Sequence, residues 1–204
     1  MKKLLPLLFL SLCVSCDIPT DGMSQNGRKS APTKTKIDFQ GNTIVLPQGY
    51  LLISAEEFEN RIESIADSSK FKKMAKQELE KVKNRKVEYQ LFIDPNNSKN
   101  FVFVYTRNYV EFDEFIAQKY VSNLNKELKR ESNKQRIKYR RIHGRYFFTN
   151  TSKIVKLKYI KAVKQEQKFQ TEYLISSQSG GMGLLVSNTQ NIDFETSVKG
   201  LAMR

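Results

Sequence analysis

Acid–base or nucleophilic chemistry in this chain would have to pass through very few residues. His143 is the only histidine among 204 residues, and a nucleophile–histidine–acid triad would need it. Arg140, Arg141 and Arg145 lie close by in sequence, which makes the setting basic. No Gly-Xaa-Ser-Xaa-Gly elbow accompanies it. Ser179-Gly180-Gly181-Met182-Gly183 is glycine-rich, but a phosphate cradle needs a following Lys-Ser/Thr and a helix N-terminus. Leu184-Leu185-Val186 follows instead, which reads as a strand leaving a hairpin turn. The carboxylate pairs Asp113/Glu114 and Glu56/Glu57 fall in first helical turns, where capping and the helix dipole account for them. A single His and no Asp-Xaa-Asp-Xaa-Asp loop leave no metal centre to expect. The expectation is a non-enzymatic protein with no catalytic residue, no metal and no cofactor.

The two cysteines point elsewhere. Lys2 and Lys3 precede an apolar run from Leu4 to Val14, which ends in Cys13-Val14-Ser15-Cys16-Asp17. The run has signal-peptide length and is shorter than the roughly 20 residues needed to span a bilayer. Its end is similar to the lipobox of bacterial lipoproteins, in which a cysteine after a small residue is lipidated and becomes the mature N-terminus. The resemblance assigns residues 1–15 to a lipoprotein signal peptide and lipidation to Cys16. An ordinary cleaved signal peptide with an incidental Cys16 is the alternative. After cleavage Cys16 is the last cysteine, so no internal disulfide is possible, and a thioether-linked lipid removes a free thiol from an oxidising compartment. Residues 16–35 contain two Pro and two Gly without apolar periodicity. They read as a flexible tether to a domain over residues 36–204.

Charge is the one compositional anomaly. The net charge is +14. Residues 126–168 hold 15 Lys+Arg against 3 Asp+Glu, while the rest of the chain from Cys16 onward balances at 18 of each. Lys138, Arg140, Lys156 and Lys158 alternate with apolar residues, with Arg141 beside them. They should therefore project from a single sheet region. Two readings fit. One is a solvated face. The other is a docking surface for an anionic partner such as acidic lipid headgroups, an acidic protein or an anionic glycan. Nucleic acid fits least, because no groove-entering helix accompanies the stripe.

The elements that would carry these residues follow from periodicity. Ile37–Phe39 and Thr43–Leu46 flank Gln40-Gly41-Asn42 as a hairpin, and Tyr50–Ile53 extends it. Ser54 with Glu57 makes a capping box before Phe58, Ile62 and Ile65. A second, basic helix runs to about Asn84. Val87–Asp94 and Asn100–Arg107 are strands, and the second is apolar on both faces, as a central strand is. Glu111–Arg130 is a long amphipathic helix with Phe112, Phe115, Ile116, Tyr120, Leu124 and Leu128 on its apolar face. Strands follow around Ile137–Arg140, Tyr146–Phe148, Val155–Tyr159, Phe169–Ile175 and Met182–Ser187. A closing helix spans Asp193–Met203. The order predicts an α+β protein with one antiparallel sheet flanked by helices.

That order resembles the PsbP-like superfamily, which includes small bacterial envelope lipoproteins of the DcrB type. The resemblance rests on Leu46-Pro47-Gln48-Gly49-Tyr50 after the opening hairpin, the long helix before the meander, a turn at Ile142-His143-Gly144, and the closing helix. The extra helix around 70–84 and the basicity depart from the pattern. The resemblance implies an α/β/α sandwich, transfers no catalytic residue, and implies a binding or accessory role in a protein complex. The functional expectation is a lipid-anchored envelope protein on the inner or outer membrane, facing periplasm or cell surface, that assists an envelope complex. The alternative is a binder of anionic membrane or polymer through residues 126–168, using Lys138, Arg140, Arg141, Lys156 and Lys158.

Overall fold

A computed structural model describes residues 34–66, 69–135, 137–163, 166–178 and 180–202. They fall in one unit, Ala31–Arg204. The expected signal peptide, Cys16 and most of the expected tether lie outside the described residues.

The chain opens with β1 (Thr35–Phe39) and β2 (Asn42–Leu46), an antiparallel hairpin. Its two-residue turn has φ of 49° at Gln40 and 75° at Gly41, the left-handed pair that matches strand twist in tight hairpins. Tyr50 then drops into the core at 1% exposure. Thr35 ties hairpin to core, its hydroxyl donating to the Tyr50 carbonyl at 2.9 Å and accepting from the Tyr50 amide at 2.5 Å. β3 (Leu51–Ile53) does not extend the hairpin as expected; it pairs with β4 (Tyr89–Asp94) in the main sheet. Between them lie α1 (Ala55–Glu63) and α2 (Ser69–Lys83). The Ser54 cap is present, with its hydroxyl accepting from the Glu57 amide at 3.0 Å.

β5 (Asn97–Arg107) follows, then α3 (Glu114–Gln135), β6 (Lys138–Phe148), β7 (Ser152–Val163), β8 (Glu166–Ser177), β9 (Gly180–Asn188) and α4 (Glu195–Lys199). Seven strands form one antiparallel sheet in the order β3-β4-β5-β9-β8-β7-β6. Alternation sorts its side chains into two cores. On one face Phe101, Phe103, Tyr105 and Leu185 meet Phe58 and Ile62 of α1 and Phe71, Ala75 and Leu79 of α2. Beyond them Val155, Leu157 and Leu174 meet α3 through Ala117, Ile116, Tyr120 and Val121. On the other face Val102, Val104, Tyr173, Leu184 and Val186 meet the β1–β2 hairpin and the Phe194, Val198 and Leu201 of the closing segment. The protein is therefore α+β, with three helices on one face of the sheet and the hairpin plus α4 on the other.

Three local expectations need correction. α3 begins at Glu114 because Asp113 is its cap, the carboxylate accepting from the Ile116 amide at 2.7 Å. Its inner face runs through Ile116, Ala117, Tyr120, Val121 and Leu124, which leaves Phe115 outside at 72% exposure. Ile142-His143-Gly144 is not a turn: β6 runs straight through it, with a bulge between Arg141 and His143. α4 is shorter than Asp193–Met203, because the chain leaves the helix at Gly200 and Ala202 bridges to Thr43 of β2.

Candidate functional site: the basic edge of the sheet

β7 and β6 carry the basic stripe, and their pairing decides which cations reach solvent. Lys156 stands opposite Arg145, Lys158 opposite His143, Ile160 opposite Arg140 and Ala162 opposite Lys138. The bulge at Ile142 resets alternation, so Lys138, Arg140, His143 and Arg145 share one face with Lys156 and Lys158. Arg141 pairs with Tyr159 and lies on the α3 face. The four alternating cations thus share a face, but they do not share an environment.

Lys156 and Lys158 are buried, at 3% and 7% exposure, because the segment before α4 covers β7 on this face. Lys156 Nζ lies 2.9 Å from Asp193 Oδ1 and 2.9 Å from Glu195 Oε2. Lys158 Nζ donates to the Ile192 carbonyl at 3.2 Å. The Tyr173 hydroxyl donates to Asp193 at 3.3 Å. Glu195 also pairs with Arg145 at 3.1 Å and Lys199 at 2.8 Å. Hydrogen bonds from Lys199 and Lys156 pull the Glu195 carboxyl down to about 2. Burial lowers Lys158, and the nearby Asp193 opposes it. The exposed-stripe expectation is therefore corrected for these two lysines. Alternation alone implies exposure only where one face of a strand is open, and both faces of β7 are covered.

Two further basic residues of the 126–168 region are internal. Lys161 Nζ is 2.5 Å from Glu78 Oε1 of α2. Lys168 donates to the Lys99 carbonyl at 2.9 Å and lies 3.1 Å from the Phe71 ring centroid. Burial pushes Lys168 down to about 6.

What remains outside is the edge strand. Lys138, Arg140 and Arg141 are exposed. Among the described residues no ion pair reaches any of the three. His143 is exposed on the same strand. Lys126, Lys129, Arg130 and Lys134 add exposed cations on the second half of α3. A groove of about 960 Å³ runs between α3 and β6, lined by Val121, Ser122 and Asn125 on one side and Arg141, Ile142, Gly144 and Phe148 on the other.

A second polar cluster sits under α2 and α3, and sequence reading missed it. The Tyr105 hydroxyl donates to Glu172 at 2.9 Å, and the Arg85 guanidinium lies 4.5 Å from the Tyr105 ring centroid. Glu78, Glu131 and Tyr159 line the same small cavity of about 100 Å³. Burial, then the Glu172 charge, raises the Tyr120 hydroxyl to about 12. Such a phenol donates hydrogen bonds at neutral pH and supplies no phenolate. Among the described residues no group of three His, Cys, Asp or Glu is placed to hold a metal ion. None of these partners is near in sequence: Tyr105 and Glu172 are 67 residues apart.

No family model matches the sequence, and no curated protein matches it. The structure is similar to that of cyanobacterial PsbP (CyanoP) from Synechocystis sp. PCC 6803. The TM-score is 0.50 at 9% identity, over 89% of this chain and 99% of that one. At this identity the likeness is one of fold, and the chain carries a PsbP-like α+β domain.

Proposed function

We propose that this is a lipid-anchored cell-envelope protein whose PsbP-like domain serves as a non-enzymatic binding module for an envelope protein complex. The observation that carries the reading is the contrast within the basic region. Its interior lysines are each given a carboxylate or a carbonyl, whereas among the described residues no ion pair reaches the exposed Lys138, Arg140 and Arg141 on the edge strand. Self-repulsion among such cations costs stability, so a compensating partner supports their presence. The Lys2–Cys16 motif supports attachment by acyl chains, each buried CH₂ contributing about 0.8 kcal/mol.

Two measurements test this. Cys16→Ala should abolish incorporation of labelled palmitate while Cys13→Ala retains it; label persisting in Cys16→Ala overturns the anchor. A photo-crosslinker at Arg140 in the full chain should trap a discrete envelope protein, and one at Lys73 on α2 should not. Equal trapping at both sites, or none, overturns the binding-module reading.

Contact with anionic lipid or glycan is the second reading, favoured by the exposed cations at Lys126, Lys129, Arg130 and Lys134. Near an anionic surface each is worth about 1 kcal/mol. Binding to anionic vesicles at low salt, falling markedly by about 0.3 M, would support it.

A further inference from the structure

β6 is the terminal strand of the sheet, and no strand among the described residues pairs with its outer edge. It pairs with β7 on one side only. Among the described residues no backbone hydrogen bond from an element other than β7 reaches Lys138–Phe148. Eleven residues at about 3.4 Å each make an edge roughly 35 Å long. Edges of this length template pairing with another chain unless something prevents it. Two devices oppose pairing with a second copy of this protein. The bulge at Ile142 breaks the register, and Lys138 and Arg140 would face their own kind. The same cations favour a strand of opposite charge.

The two faces of this edge differ. One presents Lys138, Arg140, His143 and Arg145. The other opens into the α3–β6 groove, whose wall mixes Arg141, Glu114, Gln118 and Asn125 with apolar residues, and where Ile142 and Phe148 are 45% and 76% exposed. Gly144 forms part of the groove wall, and a Cβ there would meet nothing nearer than 3.5 Å. A strand added beside β6 would send alternate side chains to these two faces.

We propose that β6 receives, as an eighth strand, an extended segment of a partner protein in which Asp or Glu alternates with apolar residues. The carboxylates meet Lys138 and Arg140, and the apolar side chains enter the groove beside Ile142 and Phe148. The inference rests on the binding-module reading and specifies the partner's chemistry.

The test uses the full chain in zwitterionic detergent and three short labelled peptides. One alternates Glu with Val, one carries the same residues in two blocks, and one alternates Lys with Val. The alternating Glu peptide should bind and slow amide exchange in β6. Its affinity should fall about tenfold between low salt and about 0.3 M. The block peptide should bind at least about tenfold more weakly, because charge alone does not form a strand. Lys138→Glu with Arg140→Glu should remove binding of the Glu peptide and admit the Lys peptide. Equal binding of the block peptide, or equal β6 protection by anionic vesicles, reduces the edge to a charged patch and overturns the proposal. Absence of any peptide binding means that the charges only guard the edge, which also overturns it. Palmitate labelling and crosslinking through Arg140 would still stand in that case, so the two readings fail separately.

Discussion

Lys156 Nζ and Glu195 Oε2 stand 2.9 Å apart, with 4% and 14% of their side chains exposed. A cation that by alternation should face solvent is instead closed under the segment leading into α4. Lys156→Met leaves Glu195 with Arg145 and Lys199 as partners and Asp193 is 60% exposed, so it should destabilise the fold by about 1 kcal/mol, the worth of the lost hydrogen bonds. Lys156→Glu sets a third carboxylate against Asp193 and Glu195 in a buried position and should cost about 3 kcal/mol or more. Lys138→Glu, on the open edge, should change stability by less than about 0.5 kcal/mol. Urea melts of the three variants check this.

Acid unfolding should report the same cluster. The Glu195 carboxyl is held near 2 by Lys199 and Lys156, below its ordinary value of about 4.3. A depressed carboxyl stabilises the fold above the unfolded value and loses that contribution as pH falls toward the folded one. Glu195→Gln should flatten the acid limb of stability between about pH 4.3 and 2. A limb unchanged by this substitution would show that Glu195 titrates as it does in the unfolded chain.

The local grammar of the fold is legible in the sequence. Ser54 and Glu57 announce the start of α1 within four residues, and the both-sided apolar run Phe101–Tyr105 announces a covered strand. What failed was whatever depends on a distant covering element. Lys156 reads as exposed until Asp193 arrives from 37 positions away. His143-Gly144 reads as a turn because Gly usually breaks a strand; here a one-residue bulge absorbs the irregularity instead. Phe115 belongs to an apolar face with Phe112 only if Phe112 is helical; with Asp113 as the cap, Phe112 packs outside the helix and the inner face centres on Ile116, Ala117, Tyr120 and Leu124.

That cap is testable in isolation. The Asp113 carboxylate accepts the Ile116 amide, one of the donors that a helix start leaves unpaired. Asp113→Ala should cost about 1 kcal/mol, lowering the melting midpoint by about 3 °C. Asp113→Ser should recover most of it. Equal midpoints for Asp113→Ala and the parent would show that water satisfies the α3 start equally well.

Lys168 should make stability rise toward alkaline pH. Burial lowers its folded value to about 6, against about 10.4 in the unfolded chain. Between those limits the unfolded chain holds a proton that the folded one lacks, so stability increases with pH across that window and is flat below it. Lys168→Met keeps the contact with Phe71 and Phe101 and has no proton to exchange. The variant should be more stable than the parent near pH 7, and its alkaline slope should be smaller. Parallel curves for the two proteins would place the Lys168 ammonium, charged, over the Phe71 ring.

Gly183 should be irreplaceable while Tyr105 keeps its ring. The two residues are cross-strand partners on β9 and β5, and the Tyr105 side chain folds over Gly183 to reach Glu172. A Cβ at residue 183 would fall inside van der Waals contact with the ring atoms Cζ and Cε2. Tyr105 is 1% exposed, so the ring cannot swing into solvent without opening the core. Gly183→Ala should therefore cost about 2–3 kcal/mol, the range of overpacked cores. Tyr105→Leu alone removes the ring and the hydroxyl, and leaves the buried Glu172 carboxylate without that donor. If the clash is the cause, Gly183→Ala should cost much less in the Tyr105→Leu background than in the parent, giving a coupling of at least about 1 kcal/mol in a double-mutant cycle. Additive costs would instead assign the glycine's role to the strand backbone, where Gly181 makes its own close approach to the Arg107 and Asn108 carbonyls.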